Sequence, residues 1–436
     1  MNVQLLRVVR LVIRVDSDPA RQALFARLVQ ARRPVRLAFR LHERIAGSWA
    51  SVFFISCYGF ASFVSVSRPR HRGARVLMVA RHANAKHHVS RVAGWLGTGG
   101  CAHVRTGPSA VLSRSVFSGI ALLASRRRVI EALRIIRTID GRHGFLVSCR
   151  AAGAMAWYSR SKDILDTCRP AAILVSSDSH PEEMGFAMAA RTLDIPQLFV
   201  AHAYPTAISP PLDFTLSILE GGAAVEARQR KSPIKGRIVL AGVEGDSQPM
   251  DAARFLSPRP VIGIFPPKAL SWNTMAAVIE DCRSRFHARK IVIRWHPSML
   301  EPPQLTQLLT DVRDIVETPR HGTAQEAARQ CDWVIGDENS NVHLPVLKLG
   351  IPTVAVRRLG VYSEQRSDQY GFVAGGVVYP PVDAVRDVDA DAFVSFFDKS
   401  WTMRFSRYDA AYFRPPAAVA QDVQDAVRLV APGATP

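Results

Sequence analysis

Four polar segments stand directly after short apolar runs, and they hold the side chains best suited to acid–base or phosphate chemistry. The first is Ser176-Ser177-Asp178-Ser179-His180-Pro181-Glu182-Glu183, behind AAILVSS. Asp178 and Ser179 can cap a helix that opens at Pro181, with Glu182 and Glu183 set against its positive end. The chemical alternative is that Asp178 or a neighbouring acid contacts an acceptor hydroxyl and takes its proton. The second is His202 in LFVAHAYPT, an imidazole whose ordinary pKa of about 6.5 suits proton transfer near neutrality. The third is Arg294-Trp295-His296-Pro297-Ser298 behind KIVIR. Its proline turns the chain out of the strand, and Arg294 or His296, with Ser298 beside them, can donate to a phosphate oxygen. The fourth is Gly336-Asp337-Glu338-Asn339-Ser340-Asn341. The Ser340 hydroxyl and the free amides of a helix starting near Asn341 suit an anion. That helix is expected to end at Gly350, with Pro352 opening the next strand.

Other signals are weaker. The chain has no GxGxxG and no GxxxxGK[ST], and Gly221-Gly222 lies outside any phosphate-loop context, so dinucleotide and P-loop readings lose their support. His82, His87 and His88 lack an acid at ligand spacing and are read as a solvated helix face, with no metal site expected. The cysteines at 57, 101, 149, 168, 282 and 331 form no CxxC pair, which argues against structural zinc and a disulfide framework and for a reducing compartment.

The elements that must position these segments follow from the apolar runs. RVLMVA (75–80), FLVSC (145–149), AAILVSS (171–177), QLFVA (197–201) and RIVLA (237–241) are predicted strands of a first set; VIGIF (261–265), KIVIR (290–294), DWVIG (332–336) and PTVAV (352–356) form a second. Nearly continuous apolar strands separated by helix-length segments indicate parallel sheets covered on both faces. The Pro-, Ser- and Asp-rich stretch 246–260 separates the sets as a linker. The predicted fold is therefore α/β, two Rossmann-like domains facing a central cleft, spanning 71–245 and 246–436 behind a basic arm over 1–70. A length of 436 residues exceeds what one core usually supports, about 250–300 residues.

The net charge of +19 is uneven. Residues 1–75 hold fourteen Arg against Asp16, Asp18 and Glu43, a balance of +11, leaving +8 for the rest. Arg interleaves with apolar residues at helical spacing from Leu5 to Arg44, as expected of a basic amphipathic helix on an anionic membrane surface. Residues 45–67 carry no charge but include six Ser and two Gly. A membrane-surface segment, a buried domain helix and a true span are all open there, the surface placement being the leading one. No signal-peptide cleavage box is evident. The charge alone does not make a nucleic-acid binder, since no RRM, zinc-finger or helix-turn-helix pattern accompanies it.

Taken in order, HAYPT, RWHPS and the DENSN loop with its LGIPTV continuation resemble the GT-B superfamily of bacterial capsule and wall-polymer transferases, which includes polysialyltransferase-like, capsular-polysaccharide and CDP-glycerol glycerophosphotransferase enzymes. The resemblance covers about residues 170–360, with an echo in FRPPAAVAQDVQDAVRLV (413–430). Ala203 stands where that family usually has Gly, and Asn-Ser-Asn replaces a Ser-Ser pair. The resemblance implies an inverting glycosyltransferase working without a bound metal or other cofactor, with a nucleotide-sugar donor held by Arg294, His296, Ser298, Ser340 and Asn341. His202 or Asp178 would act as base on a polysaccharide or lipid-linked acceptor. It implies a cytoplasmic enzyme, peripheral at the inner face of the bacterial plasma membrane. Two other readings share the fold: a non-hydrolysing sugar-nucleotide epimerase, which needs paired acids such as Asp178, Glu182 and Glu183, and a non-catalytic polysaccharide-binding relative.

Overall fold

The computed structural model describes residues 3–16, 33–63, 73–80, 83–104, 126–177, 180–206, 209–230, 232–267, 270–296, 314–319, 322–361 and 367–435. The chain divides into two compact units: Met1–Leu219 with Val225–Val239 and Ala417–Pro436, and Glu220–Ala224 with Leu240–Pro416.

In the first unit, α1 (Val3–Asp16), α2 (Arg33–Ile45) and α3 (Trp49–Phe63) precede β1 (Val76–Val79), α4 (Ala83–Leu96) and β2 (Cys101–His103). There follow α5 (Arg126–His143), α6 (Phe145–Cys168), β3 (Ala172–Val175), α7 (Pro181–Thr192), β4 (Gln197–Val200), β5 (Asp213–Leu219), α8 (Gly222–Gln229, whose first residues belong to the second unit) and β6 (Lys235–Leu240). The sheet order is β2-β1-β3-β4-β5-β6, parallel from β2 through β5. Strands β1, β3 and β4 are buried along their whole length, which is why they read as unbroken apolar runs.

The strand expected at 145–149 is instead the first turn of α6. A short apolar run does not distinguish a buried strand from a buried helix. Here it continues into a small-residue stretch that is buried on nearly every face, and α7 packs closely on it. A Cβ at Gly185 would come within 2.6 Å of Trp157 Cβ.

Residues 1–70 do not stand apart as an arm, so far as they are described. Helix α1 packs on α6 and α7, burying Val8, Val9 and Val12, and Asp16 pairs with Arg150 of α6 at 2.5 Å. Helix α3 packs on α5 and α6 with Val52 and Ile55 buried. This is the buried-domain placement for its inner face, and no described helix is long and apolar enough to cross a membrane. The physical reason is that each helix has one apolar or hydrogen-bonding face that α5 and α6 can cover.

The second unit holds β7 (Val261–Phe265), α9 (Trp272–Ser284), β8 (Lys290–Ile293), β9 (Val316–Glu317), α10 (Ala324–Ala328), β10 (Trp333–Asp337), α11 (His343–Lys348), β11 (Thr353–Val356), α12 (Ala390–Phe396) and α13 (Lys399–Ser406). Its sheet order is β11-β10-β7-β8-β9, parallel throughout. The stretch 246–260 is not a free linker but part of this unit's core. Phe255 is buried, its ring centroid 4.4 Å from that of Phe393 and 4.9 Å from that of Trp333. The unit ends at Pro416, short of the expected 436, because α14 (Pro416–Val430) returns to the first unit. Its stripe of Val419, Val423 and Val427 is buried, Gln424 Nε2 donates to the Trp95 carbonyl at 2.5 Å, and Arg75 Nη1 donates to the Thr435 carbonyl at 3.2 Å.

Candidate functional site

In an open parallel sheet, ligands bind beyond the carboxyl ends of the strands where the strand order reverses. In the first unit that reversal lies between β1 and β3. Ser176 and Ser177 leave β3 there, His202 leaves the adjacent β4, and α4 with His87 and His88 follows β1. Helix α7 opens at Pro181 as expected, but its N-cap is His180, whose side chain makes no capping bond. Glu183 does the work from inside the helix. Its Oε2 accepts the Ser176 amide at 3.0 Å and the Ser177 amide as well, while the His180 amide donates to Ser177 Oγ at 3.1 Å. Glu183 thus closes the loop behind β3, and this oxygen is taken up by the backbone rather than offered as an acid of a catalytic pair. Asp178 lies outside the described residues.

His202 is half-buried and its Nδ1 contacts the Ser176 carbonyl. A carbonyl oxygen only accepts, so Nδ1 carries the proton, and in the neutral ring Nε2 is left as the basic atom. A carbonyl that fixes the tautomer in this way is a common device for orienting a working histidine. The loop therefore fixes the imidazole through a strand-end carbonyl, and the Glu183 carboxylate closes the same loop.

His88 was expected on a solvated face with His82 and His87. His87 is exposed and His82 lies outside the described residues, but His88 is half-buried. Its Nδ1 is sealed from solvent with no hydrogen-bond partner among the described residues. Burial first, and then the charges of Arg91, His202 and His87, push its imidazole down to about 3. His88 and His202 are thus electrostatic neighbours joined by the sheet, at positions 114 residues apart in sequence, and no local spacing announces that pairing. Among the described residues, no group of three His, Cys, Asp or Glu side chains could hold a metal ion.

In the second unit the strand order reverses between β7 and β10, and the loop behind β10 is the Asp337-to-Asn341 segment. Asp337 organises it: Oδ1 accepts the Asn339 amide at 2.9 Å, Oδ2 accepts the Gly360 amide at 2.7 Å, and its carbonyl accepts the Ser340 amide at 2.9 Å. Burial raises the Asp337 carboxyl and, together with the nearby Asp337 charge, that of Glu338. Gln369 clamps Asn339, its amide donating to Asn339 Oδ1 at 2.9 Å and its Nε2 to the Asn339 carbonyl at 2.8 Å. Three polar atoms remain buried without a hydrogen-bond partner among the described residues: Glu338 Oε2, Asn339 Nδ2 and Asn341 Oδ1.

Ser340 and Asn341 are half-buried in this loop. The Ser340 hydroxyl accepts the Val342 amide at 3.3 Å, and α11 starts later than expected, at His343. It is only six residues long, so the side chains of the loop, rather than an extended helix dipole, define this place. His343 is fully buried. Its Nε2 donates to the Asp337 carbonyl at 2.9 Å, and Nδ1 lies 3.0 Å from Thr353 Oγ1, a hydroxyl that donates to Nδ1 when the ring is neutral. Burial lowers its imidazole to about 4. The helix closes as expected: Gly350 adopts φ +70°, where a Cβ would lie 2.0 Å from the Pro249 carbonyl oxygen, and β11 follows Pro352.

The loop behind β8 carries Arg294, Trp295 and His296. Arg294 spends two donors on backbone, Nη1 to the Trp295 carbonyl and Nη2 to the Gly322 carbonyl, each at 2.6 Å, and so braces the loop. His296 is exposed, and Ser298 lies outside the described residues. Strand β7 separates β8 from β10, which sets these two loops roughly 10 Å apart at about 4.8 Å per strand. Trp295 faces Trp272 at the start of α9, ring centroids 6.2 Å apart, and its Nε1 is buried without a hydrogen-bond partner among the described residues.

No protein-family model matches the chain, and no curated protein matches it. Among solved structures, the calicheamicin glycosyltransferase CalG4 superposes with a TM-score of 0.50 at 12% identity, covering 82% of this chain and 99% of that one. The glycosyltransferase SnogD from Streptomyces nogalater gives 0.48 at 14% identity, covering 81% and 98%. UDP-N-acetylglucosamine 2-epimerase from Rickettsia bellii gives 0.44 at 13% identity, covering 81% and 95%. At such identities the likeness to CalG4 concerns the fold: two parallel α/β units of the GT-B kind.

Proposed function

We propose that this protein is an inverting glycosyltransferase that moves a sugar from a nucleotide-activated donor to a polysaccharide or lipid-linked acceptor of the bacterial cell envelope, without a bound metal. The observation that carries the reading is the loop behind β10. Glu338 Oε2, Asn339 Nδ2 and Asn341 Oδ1, within four residues behind a strand-order reversal, are each buried with no hydrogen-bond partner among the described residues. A buried polar atom left unpaired costs about 1–3 kcal/mol, so a ligand that supplies partners recovers that energy. An acid at a strand end suits ribose hydroxyls, the Asn339 amide suits a phosphate oxygen, and the exposed His296 and the Ser340 hydroxyl can add donors.

In the first unit, His202 is the proposed base, with Asp178 the alternative. Nε2 would take the acceptor hydroxyl's proton as that oxygen bonds to the anomeric carbon, while the bond to the donor's diphosphate breaks and its electron pair leaves with the diphosphate. A single displacement inverts the anomeric centre, and such a base is worth about 10²–10⁴ in rate.

The capsule or wall-polymer branch and a cytoplasmic position against the inner membrane are part of the same proposal. What supports them is the outer face of α2 and α3. Leu37, Leu41, Trp49 and Phe53 are exposed beside the exposed Arg36, Arg40 and Arg44, the amphipathic character that seats a helix on an anionic bilayer.

A thermal-shift panel of CMP, CDP, UDP, dTDP and GDP tests the donor site. A nucleotide present at 100 times its Kd stabilises by about 2.7 kcal/mol, and one member is expected to raise Tm while Glu338→Gln loses that response. No response to any of them refutes the reading.

A further inference from the structure

The first unit also holds a cavity that the proposed chemistry does not use. A cavity of about 500 Å³ lies along α7, walled on one side by α1, a volume within the roughly 300–1,000 Å³ typical of small-molecule sites. Its lining is divided by chemistry. Arg7, Arg10 and Arg14 reach it from α1, joined by Arg191 and Lys235. Leu11, Met184, Met188 and Phe214 supply an apolar wall.

The placement follows from helical geometry. Residues 7, 10 and 14 share one face of α1, while Val8, Val9 and Val12 on the other face are buried. Docking α1 through its valines therefore turns its arginines toward the cavity. The single acid in the lining, Asp213, already pairs with Arg191 at 2.8 Å and Lys235 at 3.7 Å. Arg7, Arg10 and Arg14 have no carboxylate partner among the described residues, and α1's own Asp16 is engaged by Arg150. Five cations against one committed carboxylate select an anion. Guanidinium groups favour phosphate because their planar donors pair with two of its oxygens. An apolar wall beside that charge is unsuited to a free anion, which keeps its own hydration, and suited to an alkyl chain.

We propose that this cavity binds a phosphate-bearing amphiphile, with its alkyl chain against Leu11, Met184, Met188 and Phe214 and its anionic head among Arg7, Arg10 and Arg14. Ser177 also lines the cavity, and the carbonyl of the preceding Ser176 holds His202. The ligand would lie beside the loop that orients the proposed base. Its role as the lipid-phosphate part of an acceptor rests on the glycosyltransferase reading; the binding itself does not.

Calorimetry on the full chain tests the proposal with three probes: decyl phosphate below its micelle concentration, decyl maltoside with the same chain and no charge, and inorganic phosphate with the charge and no chain. Saturable one-to-one binding of decyl phosphate is expected, at least ten-fold tighter than either comparison. The variant Arg10→Gln/Arg14→Gln alters exposed side chains and should fold as the parent does; it should lose at least ten-fold in decyl phosphate affinity, and Leu11→Ala should lose affinity without changing the salt dependence. Maltoside binding as tight as phosphate-ester binding, or an unchanged affinity in the double arginine variant, overturns the proposal. So does a protein that floats with phosphatidylglycerol vesicles yet does not bind monomeric decyl phosphate, since its arginines then serve only a bilayer surface. The nucleotide panel separates the two readings. Decyl phosphate binding without a nucleotide response keeps the cavity and removes its acceptor role, whereas the converse keeps the donor site and removes the cavity.

Discussion

His42 Nε2 lies 2.6 Å from Asp140 Oδ1, both residues buried, and the other carboxylate oxygen accepts Ser51 Oγ at 2.6 Å and the Gly47 amide at 3.1 Å. One carboxylate of α5 thus gathers α2, the turn after it and α3. The same region carries a cation over an aromatic face, Arg137 at 4.8 Å from the Trp49 centroid.

Asp140→Ala leaves a buried histidine, hydroxyl and amide without their shared acceptor. Breaking a buried charged network from one side costs about 3–5 kcal/mol, and urea denaturation at neutral pH should show a loss of that order. A loss below about 1 kcal/mol, the scale of an exposed pair, would mean that α2 and α3 are not docked in solution.

Deleting residues 1–70 should yield insoluble protein, because it strips Val8, Val9, Val12, Val52 and Ile55 from the surfaces they cover. Membrane attachment is better tested with Arg36→Gln/Arg40→Gln/Arg44→Gln, which changes exposed residues only. Each arginine near an anionic surface contributes about 1 kcal/mol, so flotation with phosphatidylglycerol vesicles should fall by two orders of magnitude or more while Tm holds. Flotation at the parent's level would remove the membrane proposal for this face.

Acid should destabilise the fold through His343. Burial holds its imidazole at about 4 against 6.5 ordinarily, so between those values the unfolded chain binds the extra proton. Stability is fully present above pH 6.5 and lost as the pH falls toward 4. The slope is about 1.4 kcal/mol per pH unit, up to about 3 kcal/mol in all. His343→Gln should remove this share of the slope between pH 7 and 5 in denaturation midpoints. His88, pushed to about 3, acts with the same sign, so part of the slope persists. Parallel pH profiles for parent and variant would acquit His343.

His202→Ala should lower turnover by about 10²-fold or more with nucleotide affinity near that of the parent, the mark of a group used in the transition state. If turnover survives and Asp178→Asn abolishes it, the base is Asp178. If stability, affinity and turnover decline together, His202 is only a strut for the Ser176 loop.

Much of this was legible in the chain. Strands such as AILV (172–175) and VIGIF (261–265) stand out because a strand buried on both faces must be apolar at every position. The turn from α11 into β11 was legible because a left-handed residue after a helix requires Gly. FLVSC (145–149) misled because apolarity records burial, and burial alone does not choose between helix and strand. Of the candidate residues, His202 and the 337–341 loop stand out in the sequence by their position behind apolar runs. His88, Gln369 and the backbone-closing role of Glu183 were not, since each acts on a partner that only the fold brings near.

Length, patterning and charge alone established two α/β sets, most but not all of their strands, and a surplus of arginine in the first 75 residues. The tertiary structure decided the rest. Strand order, and hence which loops meet at each reversal, depends on crossovers that leave no periodic trace in sequence. Whether basic helices remain an arm or become part of a unit depends on a complementary face elsewhere in the chain, and α5 and α6 provide it. Docking the valine face of α1 then turned its arginines from a diffuse positive charge into the wall of a defined cavity, because on a helix the direction of one face fixes the direction of the other.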